Sequence, residues 1–299
     1  MKSTINDQTE TSEMTSPKNG VTENSWHLLR KFTAARISLG RSGVSIPTSE
    51  MLAFQLAHAQ ARDAVHTPLD FEALQRQLGE LTTQFPELIS SKPITLHSQA
   101  SDRTEYLQRP DLGRSLDQQS VKKLQKVASQ YIYNLAIVVA DGLSAIAIYQ
   151  NALPFIQLLL EGLQQDEQPW TISPITIVEQ GRVAISDQVG ELLNADLVLM
   201  LIGERPGLSS PDSMGLYLTW APRVGLNDSS RNCISNIRPQ GLVYSAAVQK
   251  AIYLLRESRR LKLSGVNLKD RSMAIEQDNM TGDTIEHDNN FSPTHFLSK

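Results

Sequence analysis

Leu135-Ala-Ile-Val-Val-Ala140 and Leu197-Val-Leu-Met-Leu-Ile202 are short runs that are apolar at every position and bounded by polar or turn residues. A run of that length, without alternation, fits a strand buried on both faces. Around the two runs the pattern changes period: Leu143 to Leu163 is helical, Ile175 to Glu179 extended, Ile185 to Leu193 helical, Met214 to Trp220 extended, and Tyr244 to Leu263 helical again. Strands alternating with helices imply βαβ units, so residues 131–268 are expected to form a Rossmann-like, mostly parallel α/β domain. Ligands of such sheets sit beyond the carboxyl ends of the strands, where three loops qualify: Asp141 to Ser144, Gly203 to Ser213, and Ala221 to Gly241.

Residues 26–130 read as a mainly helical region with few strand signals. Trp26, Leu29 and Phe32 suggest a first helix that ends at the Gly40 to Gly43 breaker. Pro47, Thr48 and Ser49 form a start signal for Met51 to about Val65, and Asp70 opens a third short helix. Thr104 to Gly113 is turn-rich, and Ser115 to Ala128 returns to helical spacing. Residues 1–25 and 269–299 lack the large apolar side chains that would order them, so two tails are expected, the second acidic.

Composition narrows the function. The chain of 299 residues carries 28 Lys plus Arg against 32 Asp plus Glu, a formal charge of −4, which argues against a nucleic-acid binder. A single cysteine, Cys233, excludes an intrachain disulfide framework and fits a reducing, cytoplasmic setting. Leu197 to Gly203 is far shorter than the ~20 apolar residues of a membrane span, so no membrane partner is expected.

The cofactor motifs usual for this architecture are missing. Asp141-Gly142-Leu143-Ser144 follows the first strand with one glycine, not GxGxxG, and there is no Walker A loop. Ser144 lacks the GxSxG setting of a nucleophile and reads as a helix N-cap. The six histidines (His27, His58, His66, His97, His287, His295) fall outside the expected sheet, which leaves no zinc-ligand spacing.

Five segments are distinctive together: Tyr106 to Arg114 (YLQRPDLGR), Ala140 to Ser144 (ADGLS), Gly181-Arg-Val183 leading to Asp187-Gln-Val-Gly190, Gly203-Glu-Arg-Pro-Gly207, and Cys233-Ile-Ser-Asn-Ile237. In this order they closely resemble the small (light) subunit of ethanolamine ammonia-lyase, from near Leu28 to Asn267. The resemblance implies a subunit of an adenosylcobalamin enzyme that turns ethanolamine into acetaldehyde and ammonia by a radical rearrangement. It implies a catalytic large subunit that binds the substrate, and an assembly of six large and six small chains. It places cobalamin contacts on Val183, Glu204 and Cys233, with no catalytic residue in this chain. No DxHxxG motif is present, so the cobalt is expected to keep its own dimethylbenzimidazole base.

The residues themselves are compatible with that role. A corrin is a wide apolar disc fringed by amides; Glu204 can accept from those amides, Val183 offers apolar contact, and Cys233 a small soft surface. The plainer alternatives are an ion pair of Glu204 with Arg205 or Arg223, and an ordinary buried role for Cys233. Arg109, Asp111, Arg114, Asp141 and Arg182 read as structural ion pairs or caps, and Asp187 with Glu191 as a solvated helix face. Some members of the family enter bacterial microcompartments through an amphipathic N-terminal helix. Residues 1–20 are polar all round and argue against that here. The competing function is a non-catalytic α/β scaffold subunit that has lost cofactor binding.

Overall fold

The computed structural model describes residues 20–89, 91–127 and 132–271. Most of both expected tails therefore lies outside the described residues; inside their bounds, Thr22 pairs with Arg41 and Asp270 meets Lys250 at 3.0 Å. The two apolar runs are central neighbours in one sheet. Six strands, β1 (Ile94–His97), β2 (Tyr133–Ala140), β3 (Thr176–Glu179), β4 (Ala195–Gly203), β5 (Met214–Trp220) and β6 (Arg231–Ile237), lie in the order β1-β3-β2-β4-β5-β6. The first four are parallel, and β5 and β6 extend the sheet antiparallel.

Alternation within β2 divides the core in two. Leu135, Ile137 and Val139 face one cluster, whereas Ala136, Val138 and Ala140 face another. The first cluster is covered by α2 (Phe71–Thr82), α5 (Ala145–Gln164) and α7 (Tyr244–Leu261), and it runs beneath the sheet as far as Ile234 and Ile237 of β6. The second lies under α4 (Gln118–Val127) and α6 (Ile185–Leu192) and ends at β4, where Tyr217 of β5 is only a partly buried fringe. Among the described residues, helices thus cover the antiparallel end of the sheet on one face, and on the other only α6 reaches it, at Arg231. α5 alone among the described residues has the length and composition of a membrane span, and its apolar side chains here form the core under the sheet.

Start signals act as their chemistry requires: Asp70 caps α2 through Ala73 N at 2.9 Å, and Ser144 caps α5 through Ala147 N at 3.2 Å. Several sequence expectations are corrected. The stretch around Trp26 is a 3₁₀ helix, Ser25–Lys31, that stops well short of Gly40, whereas the helix expected from Met51 to about Val65 is present as α1, Thr48–His66. The turn-rich segment holds a short helix, α3 (Arg103–Gln108). Two strands escape a pattern search: β1 is only four residues long, and β6 falls within the expected loop Ala221 to Gly241. β6 is hidden by its polarity and by a register shift against β5. Leu216 pairs with Ile234 but Met214 with Ile237, so β6 holds one extra residue there, and its buried positions fall three apart rather than two. His97, expected outside the sheet, ends β1 with Nδ1 2.7 Å from Ser98 O.

Candidate functional site

The strand order reverses at β2, whose carboxyl end stands between those of β3 and β4, since α5 after β2 and α6 after β3 pack on opposite faces. The chain fills this position with its own side chains. Asp141, 5% exposed at its side chain, pairs with Arg103 Nη1 at 3.3 Å and accepts from Gly142 N at 2.9 Å and Gly181 N at 3.3 Å. Arg103 also donates to Val65 O, Gly142 O and Gln180 Oε1. Tyr106 lies buried between Arg103 and Arg182, whose guanidinium carbons stand 4.9 Å and 4.1 Å from its ring centre. Burial pushes the Asp141 carboxyl up to about 7, against the pull of Arg103 and of the two amides. The ends of β2 and β4 touch through glycines: a Cβ on Gly203 would lie 2.1 Å from Ser144 O, and one on Gly142, where φ is +58°, 2.3 Å from Gly203 O.

The open face of β5 and β6 is a different environment. Parity puts Leu216 and Leu218 into the first core, so Tyr217 points to the opposite, open face, directly across from Cys233. The Tyr217 hydroxyl stands near enough to the Cys233 sulfur to favour its thiolate. Partial burial raises the Cys233 thiol above its usual range, and the Tyr217 hydroxyl opposes that rise. Cys233 is nonetheless an exposed residue, so the plain buried role does not hold.

Glu204 begins the loop after β4 and folds back over β5, where Gly215 leaves the space: a Cβ there would lie 2.9 Å from Glu204 Oε1. Its carboxylate makes no ion pair with Arg205 or Arg223. It accepts instead from Ser235 Oγ at 2.6 Å, from Asn236 N at 3.2 Å and from the Ser213 hydroxyl. Val183, in the turn that enters α6, packs on the same second core as Tyr217. The three residues singled out in the sequence therefore belong to one side of the sheet, and Glu204 and Cys233 are close enough to influence each other's charge.

One expectation about this side is overturned. Asp187 is not part of a solvated face; it is buried on α6 and ion-paired with Arg231 of β6, the two side chains 2% and 1% exposed. Burial raises its carboxyl to about 6 despite Arg231. Glu191, four residues on, does face outward and accepts from Val224 N at 3.0 Å. Asp141 and Arg109 are structural ion pairs as expected, the latter bound to Asp111 at 2.7 Å. Tyr217, Ser213, Ser235 and Arg231 were not singled out in the sequence. Only for Tyr217 was a signal available, its parity opposite Leu216 and Leu218 within β5.

Comparison with known proteins bears on the same residues. The family model described as ethanolamine ammonia-lyase light chain matches residues 23–269, which include every side chain of this face. A curated small subunit of ethanolamine ammonia-lyase from Ralstonia nicotianae is 56% identical over 255 residues, covering 84% of this chain and 90% of its own length. The Pseudomonas aeruginosa small subunit is 55% identical, with 84% and 89% covered. That of Pseudomonas syringae pv. tomato is 50% identical over 277 residues, with 91% and 93% covered.

Proposed function

Because the chain belongs to the ethanolamine ammonia-lyase light-chain family, we propose that it is the small subunit of that lyase, active only with the large subunit, and that it helps hold adenosylcobalamin where the two chains meet. Ethanolamine would bind to the large subunit, in an assembly of six large and six small chains. When bound, the cofactor would supply the radical chemistry of ammonia elimination. The contribution of this chain is to bind and to orient.

The open β5–β6 face fits such a group. Tyr217, Cys233 and Val183 give it an apolar floor of moderate width, and Glu204 supplies a fixed acceptor at one end. The carboxylate is the observation that carries the reading. Three donors of this chain fix its orientation, yet a carboxylate offers about four acceptor positions, so Oε1 can take a further N–H from an amide-fringed ligand. His97, the histidine that joins the sheet, stands on β1 at the edge remote from β5 and β6, which supports retention of the cofactor's own axial base.

The N-terminal arm supports a partner. α1 buries only Ala57 and Ala64, while Trp26, Phe32, Leu52 and Leu56 are 65%, 85%, 59% and 60% exposed. An apolar surface of this extent marks a contact with another protein, here the large subunit.

The test is co-expression with a large subunit, purification through this chain, and assay of acetaldehyde and ammonia from ethanolamine with added adenosylcobalamin. Activity and a retained corrinoid spectrum are expected only with both chains. Glu204→Ala should weaken corrinoid binding by about 1.5–3 kcal/mol, roughly tenfold or more, without unfolding the chain. Co-purification with a partner but without corrinoid would favour a scaffold subunit instead.

A further inference from the structure

The buried Arg231–Asp187 pair lies on the same side of the sheet as the open face, where α6 reaches β6, and its composition is not that of a pair built for stability. Asp187 Oδ1, Arg231 Nε and Thr219 Oγ1 are all buried without a hydrogen-bond partner. Thr219 lies directly opposite Arg231 in the β5–β6 ladder, so the three unmatched groups occupy one neighbourhood. Burying two charges costs about as much as their attraction returns, and an apolar pair of similar volume is commonly as stable or more so. What an ion pair adds is a fixed distance and direction between the elements that carry it.

Those elements are the two that carry the candidate contacts. Asp187 is four residues after Val183, in the first turn of α6, and Arg231 is two residues before Cys233 on the same side of β6. α6 otherwise packs on β4 and β2, where Gly190 lets it approach Val198 and Pro222 closely. Among the described residues, this ion pair ties the side chains of α6 to the outer strand. Arg231 is in turn fixed by Asp228 at 3.2 Å and by Leu226 O at 3.3 Å.

We propose that Asp187 and Arg231 are positioning residues that hold Val183 and Cys233 at the separation required by the ligand spanning them. This inference rests on the function proposed above, and the pair touches no ligand itself. The experiment uses the assembled complex of large and small subunits, titrated with cyanocobalamin and followed by absorbance, with thermal melting measured in parallel. The wild-type complex is the first arm; if it binds no corrinoid, the cofactor reading itself fails, and with it the reason for the clamp.

In the double variant Asp187→Leu with Arg231→Met, affinity should fall roughly tenfold, the size usual for loss of a supporting partner of a binding residue. Its melting temperature should stay near that of wild type. Arg231→Lys, which keeps the charge but loses the forked geometry, should show a smaller loss of the same kind and carries the test if the double variant does not fold. Val189→Ala, a cavity in the same helix, should lower the melting temperature and leave affinity within about twofold of wild type. Unchanged affinity in both pair variants would overturn the proposal. So would losses of affinity that follow melting temperature across all three, because the pair would then be structural only.

Discussion

The two ends of the sheet handle their carboxylates in opposite ways. Where the strands are parallel, the switch point that ligands usually occupy is stopped by Tyr106, Arg103 and Arg182, and Asp141 is used up in holding them. Where β5 and β6 turn antiparallel, the described residues leave the Tyr217–Cys233 part of one face without a helix, and Glu204 is aimed across it by hydroxyls and an amide. The fold class alone directs attention to the closed end. The difference shows that a doubly wound sheet can close its customary crevice and leave open instead the flank of an added hairpin.

The sharpest way to break this contrast is to open the closed end. Arg103→Ala leaves Asp141 buried without its partner and should cost about 3–5 kcal/mol, read as a lower midpoint in urea. Next in size is a dependence on pH. The folded-state carboxyls of Asp141 and Asp187 are raised to about 7 and about 6 from an ordinary value of 3.8, so the folded chain binds more protons than the unfolded chain in that interval. Stability from these groups should therefore be largest near pH 4 and should fall as pH rises to about 7, then level off. Urea midpoints at pH 5 and pH 8 would show this, and Asp141→Asn should flatten the greater part of the difference.

At the open end the effects are smaller and concern reactivity. Tyr217→Phe removes the hydroxyl that favours the Cys233 thiolate, so alkylation by iodoacetamide at fixed pH should slow by roughly two- to tenfold while the melting temperature hardly moves. Smallest of all, Arg109→Ala breaks an exposed pair with Asp111 and should change stability by less than about 0.5 kcal/mol. A larger loss would mean that the segment after α3 bears more of the closed end than its contacts indicate.

Much of the frame was legible because burial on two faces leaves a mark in sequence. β2 and β4 are apolar at nearly every position, and the helices between them keep their period. β6 was not legible, since a strand covered on one side and bulged in the middle carries polar residues where a pattern search expects a loop. Glu204 was singled out, but its partners come from positions 9, 31 and 32 residues away, and nothing local predicts them. Asp187 was misread for the same reason. Its burial is decided by Arg231, 44 residues on, and Asp187 with Glu191 on a short helix looks like any wet surface.

The strand edges carry one more consequence. At the bulge, Asn236 adopts φ +61° and turns its amide to Glu204, so the outer rim of β6 has no continuous row of free donors beyond Ile234. The opposite rim is stopped as well: on β1, His97 N is taken by Ser120 Oγ, His97 O by Asp117 N, and Thr95 O by Lys123 Nζ. A sheet blunted at both margins resists lengthening by a strand from another copy, which guards against fibrous aggregation.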